Sequence, residues 1–116
     1  MTKAPRPHNE SERIAALERY GILDLPSDAL LDSLTQAAAD LCETPVALIC
    51  LIDSTRTRVK SCVGMQAPAM PRDFSFCAHT ILAPHEILEV PDARLDERFR
   101  DNFLVTSALS VRFYAG

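Results

Sequence analysis

The sequence predicts an α+β domain, in which an antiparallel β-sheet carries helices packed on one face. Near the N-terminus, apolar residues recur at the three- and four-residue spacing of amphipathic helices. The apolar run at residues 46–52 is followed, after a short turn, by the alternating segment 57–63, which is the pattern of a β-hairpin. Further short strand-like segments come later, so helices precede the strands and do not alternate with them.

The composition excludes several classes of function. A chain of 116 residues with 47% hydrophobic and 24% charged residues is long enough for one globular domain with its own core. Its net charge of -4 gives no basic surface for nucleic acid. The longest apolar run is too short to cross a bilayer, and the polar, proline-rich N-terminus lacks the apolar core of a signal peptide. We therefore expect a cytoplasmic protein with neither a nucleic acid nor a membrane as its partner.

The cysteines and glycines argue against metal sites, structural disulfides and glycine-rich phosphate-binding loops. The four cysteines form no CxxC pair and match no zinc-ribbon spacing, so no metal site is expected. Cys42 and Cys50 lie inside apolar runs and are interpreted as small core residues, and a structural disulfide is not expected in the cytoplasm. With only three glycines, the chain contains neither a GxGxxG fingerprint nor a P-loop.

Residues 1–8 are expected to form a flexible tail before a domain that occupies residues 9–116. Asn9 is placed to cap a first helix over about residues 10–20, and Gly21 to end it in the left-handed conformation. A second helix opens at Pro26-Ser27-Asp28 and ends before Thr44-Pro45. Its spacing predicts one broad apolar face made of Leu30, Leu31, Leu34, Ala37, Ala38, Leu41 and Cys42.

The hairpin is predicted to have an inner and an outer strand. Residues 46–52 are continuously apolar, which is typical of a strand buried on both faces. Residues 57–63 alternate charged and apolar positions, and Arg58 and Lys60 are charges that suit an edge strand.

The C-terminal half is predicted to hold shorter elements. A loop over residues 64–73 contains Pro68 and Pro71, and Ser75 then caps a short helix over residues 76–82. Residues 87–90 form a short strand, and 92–102 a surface loop with helical turns pinned by Phe99 and Phe103. A final strand covers residues 109–114.

Several segments together carry a family resemblance: NESER at 9–13, YGILD at 20–24, PVALICLID at 45–53, DFSFCAHTIL at 73–82, VPDAR at 90–94, RF at 98–99, DN at 101–102 and RFYAG at 112–116. They resemble the GAF domains found near the N-termini of bacterial sensor histidine kinases and diguanylate cyclases. The resemblance covers nearly the whole chain from Asn9. It implies no single ligand or cofactor, because this family binds very different molecules.

The resemblance also implies a further hairpin and a closing C-terminal helix after the RFYAG segment, where this sequence ends. The chain is then a GAF domain truncated at its C-terminus, and its inner strand lacks a neighbour. Because the backbone groups of such a strand need partners, we expect either a fragment of a longer protein or a chain that completes its sheet by homodimerisation or another association.

The resemblance implies that the pocket-side segment runs from Pro71 to Thr80, with Arg72-Asp73 and residues 92–94 near the loops that rim the pocket. Arg112 and Tyr114 share one face of the predicted final strand. Opposite charges and rings there suit polar and apolar ligand contacts, although ion pairs, a helix cap from Asp92 and plain core packing are the more common roles of such residues. The candidate ligand-binding residues are Asp73, Phe74, Phe76, Cys77, His79, Asp92, Arg94, Arg112 and Tyr114.

Cys77 and His79 also raise two covalent hypotheses. In bilin-binding relatives a cysteine of this loop holds the chromophore and a histidine usually follows it directly, whereas here Ala78 intervenes. Residues two apart on a helix point in different directions, so Cys77 and His79 do not serve one ligand atom together. A thiol enzyme similar to free methionine sulfoxide reductase needs positive charge near Cys77, which Arg72 or His79 could supply, and no resolving cysteine follows at short range.

We therefore predict a non-enzymatic sensory GAF module of bacterial signal transduction. It binds a small molecule or a partner domain and relays that state to a signalling output domain through its terminal helices. The alternatives are a dimerisation module whose pocket is filled by its own side chains, a thiol enzyme, and a bilin photosensor attached through Cys77. An empty, partly polar cavity beneath residues 74–82 favours ligand binding, and a packed interior favours the interaction module.

Overall fold

The computed structural model describes residues 2–26, 28–66 and 69–116. Met1, Ser27, Ala67 and Pro68 lie outside the described residues, and with them the predicted roles of Ser27 in the helix opening and of Pro68 in the loop. The α+β class with antiparallel sheets is confirmed. In chain order the elements are α1 (Glu10–Tyr20), α2 (Ala29–Cys42), β1 (Ala47–Ile52), β2 (Arg56–Val63), β3 (Met70–Pro71), α3 (Cys77–Thr80), β4 (Glu89–Val90), α4 (Phe103–Thr106) and β5 (Tyr114–Ala115).

Helix α1 has the predicted bounds. Gly21 ends it with a φ of 61°, and its N–H donates to the carbonyls of Leu17 and Glu18. This left-handed conformation is one that glycine adopts without the steric cost of a Cβ. Asn9 precedes the helix as predicted, but among the described residues its side chain makes no capping hydrogen bond, so its capping role was wrong.

The predicted apolar face of α2 points away from the sheet. Leu30, Leu34 and Leu41 are 68%, 53% and 84% exposed, while the buried residues of the helix are Thr35 and Ala39. The prediction of the helix was correct, and Asp28 caps it by accepting the N–H of Leu31, but the buried face was not the leucine face.

A chain of hydrogen bonds explains which face of α2 is buried. The Thr35 hydroxyl donates to Ser61 Oγ of β2 at 2.7 Å, and Ser61 donates to Asp32 Oδ1 at 2.7 Å. Buried hydroxyls need such partners, and the small side chains of Thr35 and Ala39 let the helix approach the strand closely.

The hairpin of β1 and β2 is antiparallel as predicted, with pairs from Ala47 and Val63 to Ile52 and Thr57. The strand order β1-β2-β3 nevertheless puts β2 in the middle and β1 at an edge, which reverses the predicted inner and outer positions. Lys60 is 8% exposed because its ammonium donates to the carbonyl of Leu25 in the α1–α2 connection. Lys60 was predicted as an exposed charge of an edge strand, but its side chain is buried and binds the α1–α2 connection.

A second, two-stranded sheet pairs β4 with β5, so that Val90 lies opposite Tyr114. Both strands are shorter than predicted, although Leu88 and Gly116 exchange backbone hydrogen bonds next to the paired residues. Within the predicted final strand, the Val111 N–H donates instead to the carbonyl of Leu104. Of the two rings expected to pin this region, Phe99 is 0% exposed, whereas Phe103 is 72% exposed and was wrongly predicted. The buried core joins Phe76, Val90, Ala93, Phe99 and Val105.

Residues 2–7 lie against the domain, which differs from the flexible tail predicted for residues 1–8. The Thr2 N–H donates to the carbonyl of Arg98 at 3.2 Å, and Arg6 donates to the carbonyl of Ser54 at 2.8 Å. Ala4 between them is buried. A proline-rich composition favours an extended backbone. An extended segment can pack against the domain, so this composition does not by itself predict flexibility. Across the described ranges, no helix combines the length and the apolar content required to cross a membrane.

Candidate functional site

The candidate site is built around Ser75, which fixes the start of α3. Its hydroxyl accepts the backbone N–H of Ala78 at 3.1 Å, as a helix cap does, and lies 2.9 Å from Thr57 Oγ1 of β2. The predicted cap is therefore present, although the helix it starts is only Cys77–Thr80 and not residues 76–82. The bond to Thr57 holds α3 on the three-stranded sheet.

The interior beneath residues 74–82 is filled by stacked rings. Phe76 stacks on Phe99 with centroids 4.3 Å apart and on Tyr114 with centroids 4.9 Å apart. The imidazole of His79 meets the Phe99 ring edge-on at 4.9 Å. Aromatic pairs at these separations add to the stability gained by burial. The rings Phe76 and Tyr114 thus belong to a packed core, which is the arrangement that the interaction-module alternative requires.

His79 and Tyr114 use their polar atoms within the fold. His79 Nε2 lies 3.1 Å from the carbonyl oxygen of Thr2, and burial lowers the pKa of its imidazole. The Tyr114 hydroxyl lies 2.7 Å from Thr80 Oγ1 and donates to Cys77 Sγ at 3.8 Å. Burial raises the pKa of Tyr114, so its hydroxyl keeps its proton and acts as a donor.

A second thiol, that of Cys50 on β1, acts on the pKa of Cys77. The hydrogen bond from the Cys50 thiol lowers the pKa of Cys77 to about 7 against the opposing effect of burial, and the Tyr114 hydroxyl acts in the same direction. The same hydrogen bond, together with burial, raises the pKa of Cys50. Both cysteines are partly exposed. No signal in the sequence links Cys50 to Cys77, because the effect depends on how α3 sits on β1.

The charged candidates make local contacts at two other places. Asp73 pairs with Lys3 Nζ at 3.1 Å, and the adjacent Phe74 is 57% exposed. Asp92 and Arg94 pair with each other at 2.7 Å, and hydrogen bonds from Arg94 lower the pKa of Asp92 to about 2.

Arg112 donates to the carbonyls of Val105 and Val111, both at 3.0 Å. The structure thus brings Phe76, Cys77, His79 and Tyr114 together, whereas Asp73, Phe74, Asp92, Arg94 and Arg112 take part in ion pairs, a turn cap and backbone bonds elsewhere.

Sequence reasoning missed one buried ion-pair network, centred on Glu10 of α1. Arg72, whose side chain is 4% exposed, donates to both carboxylate oxygens of Glu10, with Nη2 3.0 Å from Oε2, and to the carbonyl of Asp53 at 3.0 Å. Arg13 reaches Glu10 from one turn along the helix at 3.0 Å. These hydrogen bonds, that of Arg72 first, hold the pKa of Glu10 at about 2. Arg72 therefore fastens α1 to the hairpin.

A groove of about 460 Å³ runs beside the C-terminal end of α3 and not beneath it. That volume lies in the range of small-molecule sites. Of the candidate residues it includes His79. Among the residues that the structure describes, no group of three or more His, Cys, Asp or Glu side chains is arranged to hold a metal ion. The groove is lined by His79, Thr80, Leu82, Ala83, Glu86, Ile87, Leu88, Glu89 and Arg98.

Comparison with known proteins gives one informative similarity. No family model matches the chain. Over all 116 of its residues, the chain is 38% identical to a cyclic di-GMP phosphodiesterase of Pseudomonas aeruginosa. The chain spans 20% of the length of that relative, so the similarity concerns one portion of a longer protein.

Proposed function

We propose that this chain is a non-catalytic regulatory module of the GAF type that works in a cyclic di-GMP signalling protein. The observation that carries the proposal is the similarity at 38% identity along the whole chain to one fifth of a phosphodiesterase. Four fifths of that relative lie outside the matched portion and are available for its catalytic activity. A module of this kind acts by shifting the equilibrium between states of the domain attached to it.

The packed interior favours regulation by association over regulation by a buried ligand. The space beneath residues 74–82, where a ligand of the expected kind would lie, holds the stacked rings of Phe76, Phe99 and Tyr114. An interaction module with a self-filled pocket needs a surface for its partner instead.

The exposed face of α2 supplies such a surface. Leu30, Leu34 and Leu41 repeat at the four- and seven-residue spacing that places apolar side chains on one helical stripe, as in coiled coils. Next to α2 in the chain, β1 pairs only with β2 within the described sheet and leaves its other edge open. Exposed apolar stripes and open strand edges both favour association. We infer that a second copy of the chain covers this face.

Sedimentation velocity over a range of protein concentrations tests the association. A variant carrying Leu30→Gln, Leu34→Gln and Leu41→Gln should sediment as a monomer where the wild type forms a dimer. The matched control replaces the exposed leucines Leu25, Leu95 and Leu109 with glutamine and should still dimerise. A monomeric wild type at every concentration would contradict a homodimer.

A chimera tests the regulatory role itself. This chain replaces the matched fifth of the Pseudomonas aeruginosa phosphodiesterase, and hydrolysis of cyclic di-GMP is measured. The chimera should hydrolyse cyclic di-GMP, its rate should change with the three α2 substitutions and not with the control set, and the isolated chain should be inactive. Hydrolysis by the isolated chain would show that the module is itself catalytic.

The groove beside α3 supports a second candidate, small-molecule sensing outside the ring cluster. Its volume suits a ligand, and both His79 and Arg98 line it. Native mass spectrometry of the purified chain would show a ligand that stays bound. If the same ligand still co-purifies with the His79→Gln and Arg98→Gln variants, the groove is not its binding site.

A further inference from the structure

Residues 2–7, which we call the N-terminal strap, are bonded to the domain at both ends. At one end the Thr2 N–H donates to the carbonyl of Arg98 at 3.2 Å, and the Thr2 carbonyl accepts a hydrogen bond from His79 Nε2 at 3.1 Å. At the other end Arg6 donates at 2.8 Å to a backbone carbonyl of the β1–β2 turn. The strap therefore crosses from the region of the second sheet to the hairpin.

The first end of the strap holds two residues of the groove beside α3. Both His79 and Arg98 line that groove, which has a volume of about 460 Å³. A carbonyl can only accept a hydrogen bond, so the ring nitrogen Nε2 of His79 carries the proton while Thr2 is bound. The arrangement of this part of the groove wall thus depends on whether Thr2 is docked.

The second end of the strap leads into α1. The Pro7 carbonyl accepts the N–H of Glu10 at 3.1 Å, and the guanidinium of Arg6 lies 3.6 Å from the Glu10 carboxylate. The first N–H groups of a helix have no partner within the helix, and within the described part of the chain the Asn9 side chain caps none of them. The strap therefore supplies one of the hydrogen bonds that cap α1.

Few contacts hold the strap between its two ends. Only Ala4 and Pro7 are buried among residues 2–7. Lys3 pairs with Asp73 at 3.1 Å, but these side chains are 66% and 38% exposed, and ion pairs in such surroundings contribute little to stability. Terminal segments with few buried contacts open at a low free energy. These properties favour a segment that opens while the core stays folded.

We propose that the N-terminal strap is a releasable link between the wall of the groove beside α3 and the first turn of α1. When docked, it holds His79 and Arg98 at one end and accepts the Glu10 N–H at the other. When released, it frees both ends together, while Arg72 still binds the Glu10 carboxylate and keeps α1 on the hairpin. Displacement of Thr2 at the groove therefore loosens the start of α1, and the reverse holds by thermodynamic linkage. The link rests on the contacts of the strap alone and does not depend on the proposed function.

Amide hydrogen exchange followed by NMR tests the link from the groove to the helix. Thr2→Pro removes the N–H that the Arg98 carbonyl accepts, and it should speed exchange of the Glu10 amide about fivefold, the effect of losing one hydrogen bond. Lys3→Gln is the matched control, because it removes only the exposed pair with Asp73, and it should leave that rate unchanged. Amides of the β1–β2 hairpin should exchange at their wild-type rates in both variants, which shows that the domain is folded.

The imidazole NMR signals of His79 test the link in the opposite direction. Arg6→Ala removes the bond to the β1–β2 turn and should shift these signals, whereas Arg19→Ala, on the exposed last turn of α1, should leave them in place. Wild-type exchange at Glu10 in Thr2→Pro, or unshifted ring signals in Arg6→Ala, would show that the two ends are not linked and would overturn the proposal. Faster exchange across the whole hairpin would overturn it as well, because the strap would then open only when the domain unfolds.

Discussion

Glu10 is the residue on which the N-terminal helix depends for its attachment to the hairpin. Arg72 and Arg13 both donate to its carboxylate, and Arg72 also holds the Asp53 carbonyl. The Arg72 side chain is 4% exposed, so a loss of Glu10 would leave a buried guanidinium without its charged partner. Breaking such a pair is costly because the remaining charge stays desolvated.

Glu10→Gln should lower the free energy of unfolding at neutral pH by about 2 kcal/mol. The folded-state pKa of about 2 is below the ordinary value of 4.5, so the contribution of Glu10 is present above pH 4.5 and is lost as the pH falls towards 2. Urea unfolding of wild type and variant across this window measures it. The exposed Glu12→Gln is the control and should change little. If the wild type and Glu10→Gln keep a constant difference down to the lowest pH, the ion pair does not stabilise the fold.

At the scale of elements, α2 shows that a sequence can predict a helix correctly without predicting which of its faces is buried. Ala39 is 5% exposed, whereas Leu41, two residues on, is 84% exposed. Ala39→Leu should destabilise the fold by about 1–3 kcal/mol through overpacking. Leu41→Gln should change the free energy of unfolding by no more than about 0.5 kcal/mol. Urea unfolding at a concentration where the chain is monomeric compares them, and a larger loss for Leu41→Gln would mean that the leucine face is the buried one.

The ring cluster connects α3 to the second sheet and offers a comparison within one residue type. Phe99 is 0% exposed beneath Phe76 and His79, while Phe103 is 72% exposed on α4. Phe99→Ala should cost about 3–5 kcal/mol because it removes a buried ring and leaves a cavity. Phe103→Ala should cost about 0.5 kcal/mol or less. Thermal unfolding followed by circular dichroism ranks them, and equal losses would contradict the described core.

At the scale of the whole molecule, residues 2–7 connect the β1–β2 hairpin to the region of the second sheet. Thr2 bonds to Arg98 near the second sheet, and Arg6 bonds to Ser54 at the tip of the β1–β2 hairpin. Ala4→Asp places a carboxylate at a site that is 7% exposed and should cost about 1–3 kcal/mol. Pro5→Asp at the exposed neighbouring position is the control. A loose segment would give the same melting temperature for both variants.

The sequence by itself determined the features that depend on neighbouring residues. The α+β class, the bounds of α1, the β1–β2 hairpin and the cap at Ser75 all follow from signals within a few residues: a glycine that tolerates a positive φ, alternating apolar positions, and a hydroxyl before a helical turn. Each such signal acts through local backbone conformation, which the sequence specifies directly.

Only the tertiary structure decided which distant groups meet. It turned the small, hydroxyl-bearing face of α2 to the sheet, set β2 in the middle and joined Glu10 to Arg72. Periodicity measures how apolar a face is, but burial also requires close approach and a partner for every polar atom. Those requirements are met between elements that lie far apart in the sequence. Local sequence patterns therefore cannot predict which groups come into contact.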